Sequence, residues 1–151
     1  MLKEDVCMFV KQLSIFVENK QGRLSAILAS LSKSNVDICA LSLADTTDFG
    51  VLRIIVDNPE LAQTVLRAEG VVSKTSEVLA VEISDKPGAL SDILDILDAG
   101  NHSVEYMYAF VGKKDNNAVV VIKTLDLEKA EQLLISHNVT TIHAENLYRK
   151  F

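Results

Sequence analysis

Leu13, Ile15 and Val17 alternate with Gln12, Ser14, Phe16 and Glu18, the period of a strand with one face buried. Asn19-Lys20-Gln21-Gly22 reads as a turn. Leu24, Ile27, Leu28 and Leu31 then recur at i, i+3, i+4 and i+7, the apolar stripe of an amphipathic helix. Strands are expected at 36–44 and 51–56, joined by a polar connection over 45–50. Pro59 suits the first turn of a helix over 59–69, with Gly70 as its stop, and 71–76 reads as a short fourth strand. The second half follows the same order. It has a strand over 78–84, a turn at 85–88, a helix with the stripe Leu90, Ile93, Leu94 and Leu97, strands over 104–111 and 118–124, a helix over 127–137 and a last strand over 140–146.

The two halves are copies. Shifted by 66 positions, residues 20–35 fall on 86–101, and eight of the sixteen pairs are identical: Lys20/Lys86, Gly22/Gly88, Leu24/Leu90, Ser25/Ser91, Ile27/Ile93, Leu28/Leu94, Leu31/Leu97 and Asn35/Asn101. Chance gives about one, from ordinary residue frequencies. Farther on the offset is 68, pairing Gly70-Val71 with Asn138-Val139, and a small insertion near 113–117 accounts for part of the drift. The order βαββαβ, read twice, is the ferredoxin-like arrangement, an α+β class with helices on one face of an antiparallel sheet. Two units are expected, 11–76 and 77–147. No Pro or Gly interrupts 71–84, so the copies are expected to pack rigidly.

Composition narrows the function. The chain has 151 residues, 48% hydrophobic and 24% charged, with net charge -6. That is a soluble globular composition, and it argues against nonspecific nucleic-acid binding, which needs clustered cations. No apolar stretch is long enough to span a bilayer, and the N-terminus lacks a signal-peptide core; the expected location is cytoplasmic. Cys7 and Cys39 have no CxxC spacing and read as small buried hydrophobes. His102, His137 and His143 lack metal-ligand spacing, so no metal is expected. Asp92, Asp95 and Asp98 read as a solvated helix face, and Asp45 and Asp48, flanking two threonines, as turn caps. Tyr106, Tyr108 and Phe110 share one strand face, which suits either a pocket wall or a core. No nucleophile elbow, P-loop or dinucleotide fingerprint is present, so no cofactor and no catalysis are expected.

The repeated loop carries the most suggestive chemistry. It reads Asn19-Lys20-Gln21-Gly22-Arg23-Leu24 in the first copy and Asp85-Lys86-Pro87-Gly88-Ala89-Leu90 in the second. A helix start presents unpaired N–H groups and a partial positive charge to a carboxylate. Glycine there permits close approach, and Asn19 or Asp85 offers an acceptor for an ammonium group. Ordinary turn and cap chemistry explains the same residues. Of the two loops the second is the expected stronger site, because Pro87 stiffens it and Asp85 carries a full charge.

A strand, then Asn/Asp-Lys-x-Gly-x-Leu, then an amphipathic helix, all within a βαββαβ unit, resembles the ACT domain, a regulatory amino-acid-binding module. Two copies in one short chain resemble the stand-alone tandem ACT proteins. The stretches Ala40-Leu41-Ser42-Leu43-Ala44-Asp45 and Glu105-Tyr106-Met107-Tyr108-Ala109-Phe110 strengthen the match, which runs from about Lys11 to Leu147. The resemblance implies antiparallel sheets side by side, and a ligand between the loop of one unit and the second strand of its neighbour. Residues Asn19 to Leu24 would then face Tyr106 and Met107, and Asp85 to Leu90 would face Cys39, Ala40, Leu41 and Ser42. Gln21 stands where the family often has proline. The implied function is a non-catalytic sensor of an amino acid or similar metabolite, with a homodimer and a regulated enzyme as partners. A ligand-independent protein-interaction module and a small ferredoxin-like enzyme are the alternatives.

Overall fold

The structure, a computed structural model, describes residues 9–45, 48–112 and 116–150, with side chains described to Leu147. Cys7, Thr46, Thr47 and the centre of the 113–117 insertion lie outside these residues. The chain forms two compact units. The first is Lys11–Ser76; the second takes Phe9, Val10 and the residues from Glu77 on.

The first unit contains β1 (Val10–Glu18), α1 (Arg23–Lys33), β2 (Ile38–Asp45), β3 (Phe49–Val56) and α2 (Pro59–Ala68). β3 pairs antiparallel with both β1 and β2. Beyond α2 the chain returns beside β1, where the Phe16 N–H donates to the Val72 carbonyl at 3.1 Å. Ser73–Ser76 of the next strand, β4 (Ser73–Ser84), belong to this unit and the rest of β4 to the second. The second unit continues with α3 (Ala89–Ala99), β5 (Val104–Ala109), β6 (Asn117–Thr124), α4 (Leu127–Ser136), β7 (Thr140–Ile142) and α5 (Ala144–Lys150). Its strand order is β7-β4-β6-β5, all antiparallel. Both units are ferredoxin-like.

The core of each unit lies between its helices and its sheet. In the first, Ile27, Leu31, Ala62 and Leu66 of the helices pack on Leu13, Ile15, Val17, Leu52, Ile54 and Val56. In the second, Ile93, Leu97, Ala130 and Leu134 pack on Leu79, Val81, Val120 and Ile122. The deepest members of the two leucine stripes are Leu31 and Leu97, both fully buried. Leu24, Leu28 and Leu90 sit at the core margin.

Three sequence expectations need correction. The strands read separately at 71–76 and 78–84 are one continuous strand, β4; no Gly or Pro is there to break it. The last strand stops at Ile142 rather than Asn146 and is followed by a helix. Ala144-Glu145-Asn146-Leu147 lacks β-branched residues, and Ala, Glu and Leu favour helix, while Leu147 is fully buried and anchors the helix. The strand expected over 104–111 ends at Ala109, with Phe110 only a bridge residue.

The copies agree in local detail. β2 bulges between Ile38 and Ala40, and β5 between Val104 and Tyr106; the residues passed over, Cys39 and Glu105, are 66 apart. Asn35, Asn101 and Asn138 take positive φ just past α1, α3 and α4, the left-handed C-terminal stop that asparagine tolerates. His143 fastens the end of the second unit, with its Nε2 at 2.7 Å from Glu131 Oε2 of α4 and its ring edge-on to Phe9. His137 closes α4, its Nδ1 3.0 Å from the Leu133 carbonyl.

Candidate functional site

The two repeated loops share one backbone. In the first, the Asn19 N–H donates to the Asp48 carbonyl at 3.0 Å, Lys20 N–H to Glu18 at 2.8 Å and Arg23 N–H to Lys20 at 3.2 Å. In the second, Asp85 donates to Asn116 at 3.0 Å, Lys86 to Ser84 at 3.0 Å and Ala89 to Lys86 at 3.2 Å. Gly22 has φ 88 and ψ -12, and Gly88 has φ 89 and ψ -14. Neither Gln21 nor Pro87 has positive φ. An i to i+3 bond with positive φ only at i+2 defines a type II turn, which wants glycine at that position and accepts proline before it. The glycines are therefore required by backbone handedness, in addition to any role in ligand approach. A Cβ at either one meets nothing within 4 Å.

The four long helices start in two different ways. The second helix of each unit has a side-chain cap: Asn58 Oδ1 accepts from the Leu61 N–H at 3.1 Å, and Asp126 Oδ1 from the Lys129 N–H at 3.1 Å. The first helix of each unit begins on a glycine and has no side-chain cap. Gly22 and Gly88 have no side chain to cap with, and Asn19, three residues before Gly22, makes no side-chain hydrogen bond to the start of α1. The N-cap positions of α1 and α3 therefore supply no side-chain acceptor to the first turns, which favours an anion there.

The side chains around the two starts differ. Arg23 Nη2 lies 2.9 Å from Glu18 Oε1, and Lys20 Nζ 3.5 Å from Glu18 Oε2. These pairs are exposed, so each is worth at most about 1 kcal/mol and opens readily. The second copy has Ala89 and Ser84 at the positions of Arg23 and Glu18.

The strand candidates stand elsewhere in their own units. Leu41 lies opposite Ile54, which lies opposite Leu13, six residues before Asn19 and so about 20 Å along the strand. Met107 lies opposite Ile122, and Ile122 opposite Leu79, six residues before Asp85. Within a unit, therefore, the register separates Cys39–Ser42 from the first loop and Tyr106–Met107 from the second. Tyr106 and Met107 also project to opposite faces. Met107 packs on the core under the helices, whereas Tyr106 stacks on Tyr108, centroids 6.5 Å apart and planes at 17°. Ala40 is buried, and Leu41 is 42% exposed. Burial and the neighbouring Asp37 and Asp57 push the Cys39 thiol up to about 11. Among the described residues no group of acidic, His and Cys side chains is arranged to hold a metal ion.

A cleft opens beside each helix start. In the first unit it measures about 280 Å³ and runs from Glu18 and Arg23, past Phe16, Ile27 and Val72, to Ser30 and Glu69. In the second unit a cleft of about 320 Å³ is lined mostly by the corresponding positions, among them Ser84, Ala89, Asp92, His137 and Thr140, and in addition by Lys86 and Pro87. Of the loop residues expected to bind, Arg23 lines the first cleft and Lys86, Pro87 and Ala89 the second, while Asn19–Gly22, Leu24, Asp85, Gly88 and Leu90 are not in the linings, and sequence reasoning does not reach the far walls. Phe16 was the available signal: it is apolar on the polar register of β1 and 46% exposed.

A family model described as an ACT domain pair matches residues 8–151. No curated protein matches the chain. Among solved structures, a protein of Bacteroides thetaiotaomicron is 37% identical, with 94% of this chain and 97% of that one covered and a TM-score of 0.87. The ligand-free regulatory subunit of aspartate kinase from Thermus thermophilus is 12% identical, with coverages of 85% and 92% and a TM-score of 0.62. A putative C-terminal regulatory domain of aspartate kinase from Porphyromonas gingivalis is 16% identical, with coverages of 87% and 93% and a TM-score of 0.52. The last two likenesses concern the fold.

Proposed function

The chain belongs to the ACT domain pair family, and from that premise we propose that it is a non-catalytic sensor of an amino acid or a similar small metabolite. The carrying observation is the contrast between helix starts: α2 and α4 are closed by Asn58 and Asp126, while α1 and α3 carry no side-chain cap. A ligand carboxylate completes such a start by accepting from first-turn N–H groups beyond those of Arg23 and Ala89. In the first loop, Glu18 and the neighbouring Asn19 are the acceptors offered to a ligand ammonium. The clefts are sized for a small molecule. On this reading Asn19–Leu24 and Asp85–Leu90 are the ligand loops, and Cys39–Ser42 with Tyr106 and Met107 remain the family-implied opposite walls. Binding acts by differential affinity for two states of a homodimer or of a partner enzyme, in the cytoplasm. No helix among the described residues is long and apolar enough to cross a membrane.

A thermal-shift screen against the twenty amino acids tests this. Binding to the folded state raises stability by about 2.7 kcal/mol at a hundred times Kd, so the unfolding midpoint climbs with concentration for at least one of them. A midpoint that stays fixed across the whole panel overturns the amino-acid reading. One observation favours a ligand-independent contact module instead: β2 ends the sheet order and exposes Leu41 and Leu43, a surface suited to strand pairing.

A further inference from the structure

We infer that of the two clefts the first unit's takes the ligand more tightly, the reverse of the expectation from Pro87 and Asp85, and that this ligand is a zwitterionic amino acid with an uncharged apolar side chain. The inference rests on the sensor reading above and specifies its location and chemistry. The two clefts occupy corresponding places but have different walls. Phe16 of the first is replaced by Glu82 in the second, Ala26 by Asp92, Arg23 by Ala89 and Val72 by Thr140. In each of these pairs except Arg23/Ala89 the first cleft holds the more apolar residue.

The polar groups of the first cleft stand at its two ends. At one end Glu18 and Arg23 form an exposed pair at 2.9 Å. An α-amino acid carries the same two charges side by side, so its carboxylate replaces Glu18 on Arg23 while its ammonium takes Glu18. The exposed pair costs little to open, and the uncapped start of α1 reinforces the carboxylate's position. From Arg23 the wall continues along α1 through Ala26 and Ile27 to Ser30, seven residues and about 10 Å farther. Phe16, Val71 and Val72 line the same stretch. An apolar side chain placed there covers Val72, which is 66% exposed.

Charge excludes the acidic alternatives. The lining holds two carboxylates, Glu18 and Glu69, against one guanidinium, Arg23. Glu69 accepts a bond from the Ser30 hydroxyl at 3.3 Å, and among the described residues no cation pairs with it. A ligand with a side-chain carboxylate would meet Glu69 as a like charge. The second cleft also carries two carboxylates, Glu82 and Asp92, against Lys86, and lacks the Glu18–Arg23 pair that reads a zwitterion.

Titration calorimetry of the full chain with L-leucine, L-phenylalanine, L-lysine and L-glutamate tests this, using two matched exposed positions 66 residues apart. Ala26→Phe fills the first cleft and Asp92→Phe the second; both side chains point to solvent, and circular dichroism confirms that each variant is folded. The expected result is binding of leucine or phenylalanine, weakened at least tenfold by Ala26→Phe and changed less than twofold by Asp92→Phe. Arg23→Gln, which leaves the cleft open, also weakens binding at least tenfold. Loss of leucine and phenylalanine binding in Asp92→Phe with retention in Ala26→Phe overturns the location. Tighter binding of glutamate or lysine overturns the ligand class. No heat with any amino acid, in a folded wild-type protein that is also silent in the thermal screen, sinks the sensor reading itself, and thus separates the two failures.

Discussion

Replacing Gly88 by L-alanine forces a side chain into a backbone that turns the wrong way for it. The residue sits at φ 89 and ψ -14, and a Cβ placed on it meets nothing within 4 Å. The whole cost is therefore conformational, about 1–2 kcal/mol for an L-residue held left-handed. D-alanine, installed by semisynthesis, has the opposite preference. It occupies the same open space without strain and reduces the freedom of the unfolded chain, a gain of about 0.4–1 kcal/mol. The two enantiomers should thus bracket the wild type, with the L form less stable and the D form more stable. Urea denaturation reads the difference directly, and for units of this size each kcal/mol moves the thermal midpoint by about 4–8 °C. Gly22, at φ 88 with equally open space, should repeat the result in the first unit. Equal destabilisation by both enantiomers would show that volume, not handedness, is the constraint, and the type II turn argument would fail. Gly100 is the contrast. Its φ of -91 suits alanine, but the new Cβ runs into the Leu133 side chain, so the expected loss of about 1–3 kcal/mol comes from overpacking.

Leu31→Ala and Leu97→Ala, at the fully buried stripe positions, should each cost about 2–5 kcal/mol in denaturant titration, and Leu28→Ala, at the core margin, less. Removing the side-chain caps by Asn58→Ala or Asp126→Ala should cost about 0.5–2 kcal/mol each, measured by the same titration. The Cys39 thiol, raised from 9.0 to about 11 by burial and by Asp37 and Asp57, should react with a disulfide reagent about tenfold more slowly at pH 8 than an unperturbed thiol, because the higher nucleophilicity of the more basic thiolate partly offsets its smaller fraction. Its rate should keep rising with pH towards 11, and a plateau near pH 9 would contradict the burial. Glu131→Ala, which strips His143 of its 2.7 Å partner, should lower stability by about 1–3 kcal/mol and leave the first unit's cleft unchanged.

The architecture was legible because its signals are local and repeated. Strand alternation at Leu13, Ile15 and Val17 and the leucine stripes at period 3.6 mark burial directly, and the copies corroborate each other. The errors fall where long-range packing decides. Leu147 is buried by tertiary contact, and nothing in the spacing of 140–147 says that the chain leaves the sheet at Ile142. The turns before α1 and α3 were legible because turn chemistry is written in dipeptides such as Pro87-Gly88. The far walls of the clefts were not. Glu69 and Val72 reach Phe16 and Ser30 only through the return of the chain after α2, where the Phe16 N–H meets Val72. The difference in capping between the first and second helices follows from position: Asn58 directly precedes Pro59 and caps α2, whereas Asn19 lies three residues before Gly22, the N-cap of α1.

The twin clefts have an evolutionary consequence. In a symmetric homodimer of single units, every substitution appears in both subunits, so a site cannot change without its twin changing too. Joining the units in one chain removes that constraint. The left-handed glycine persists in both loops within a degree of φ, because the turn needs it, while the cleft walls have drifted to Phe16 and Arg23 on one side and Glu82 and Ala89 on the other. One copy is then free to lose a ligand, or to acquire a different one, while the other keeps its chemistry. A tandem chain can in this way become a two-input receptor by substitutions confined to one half.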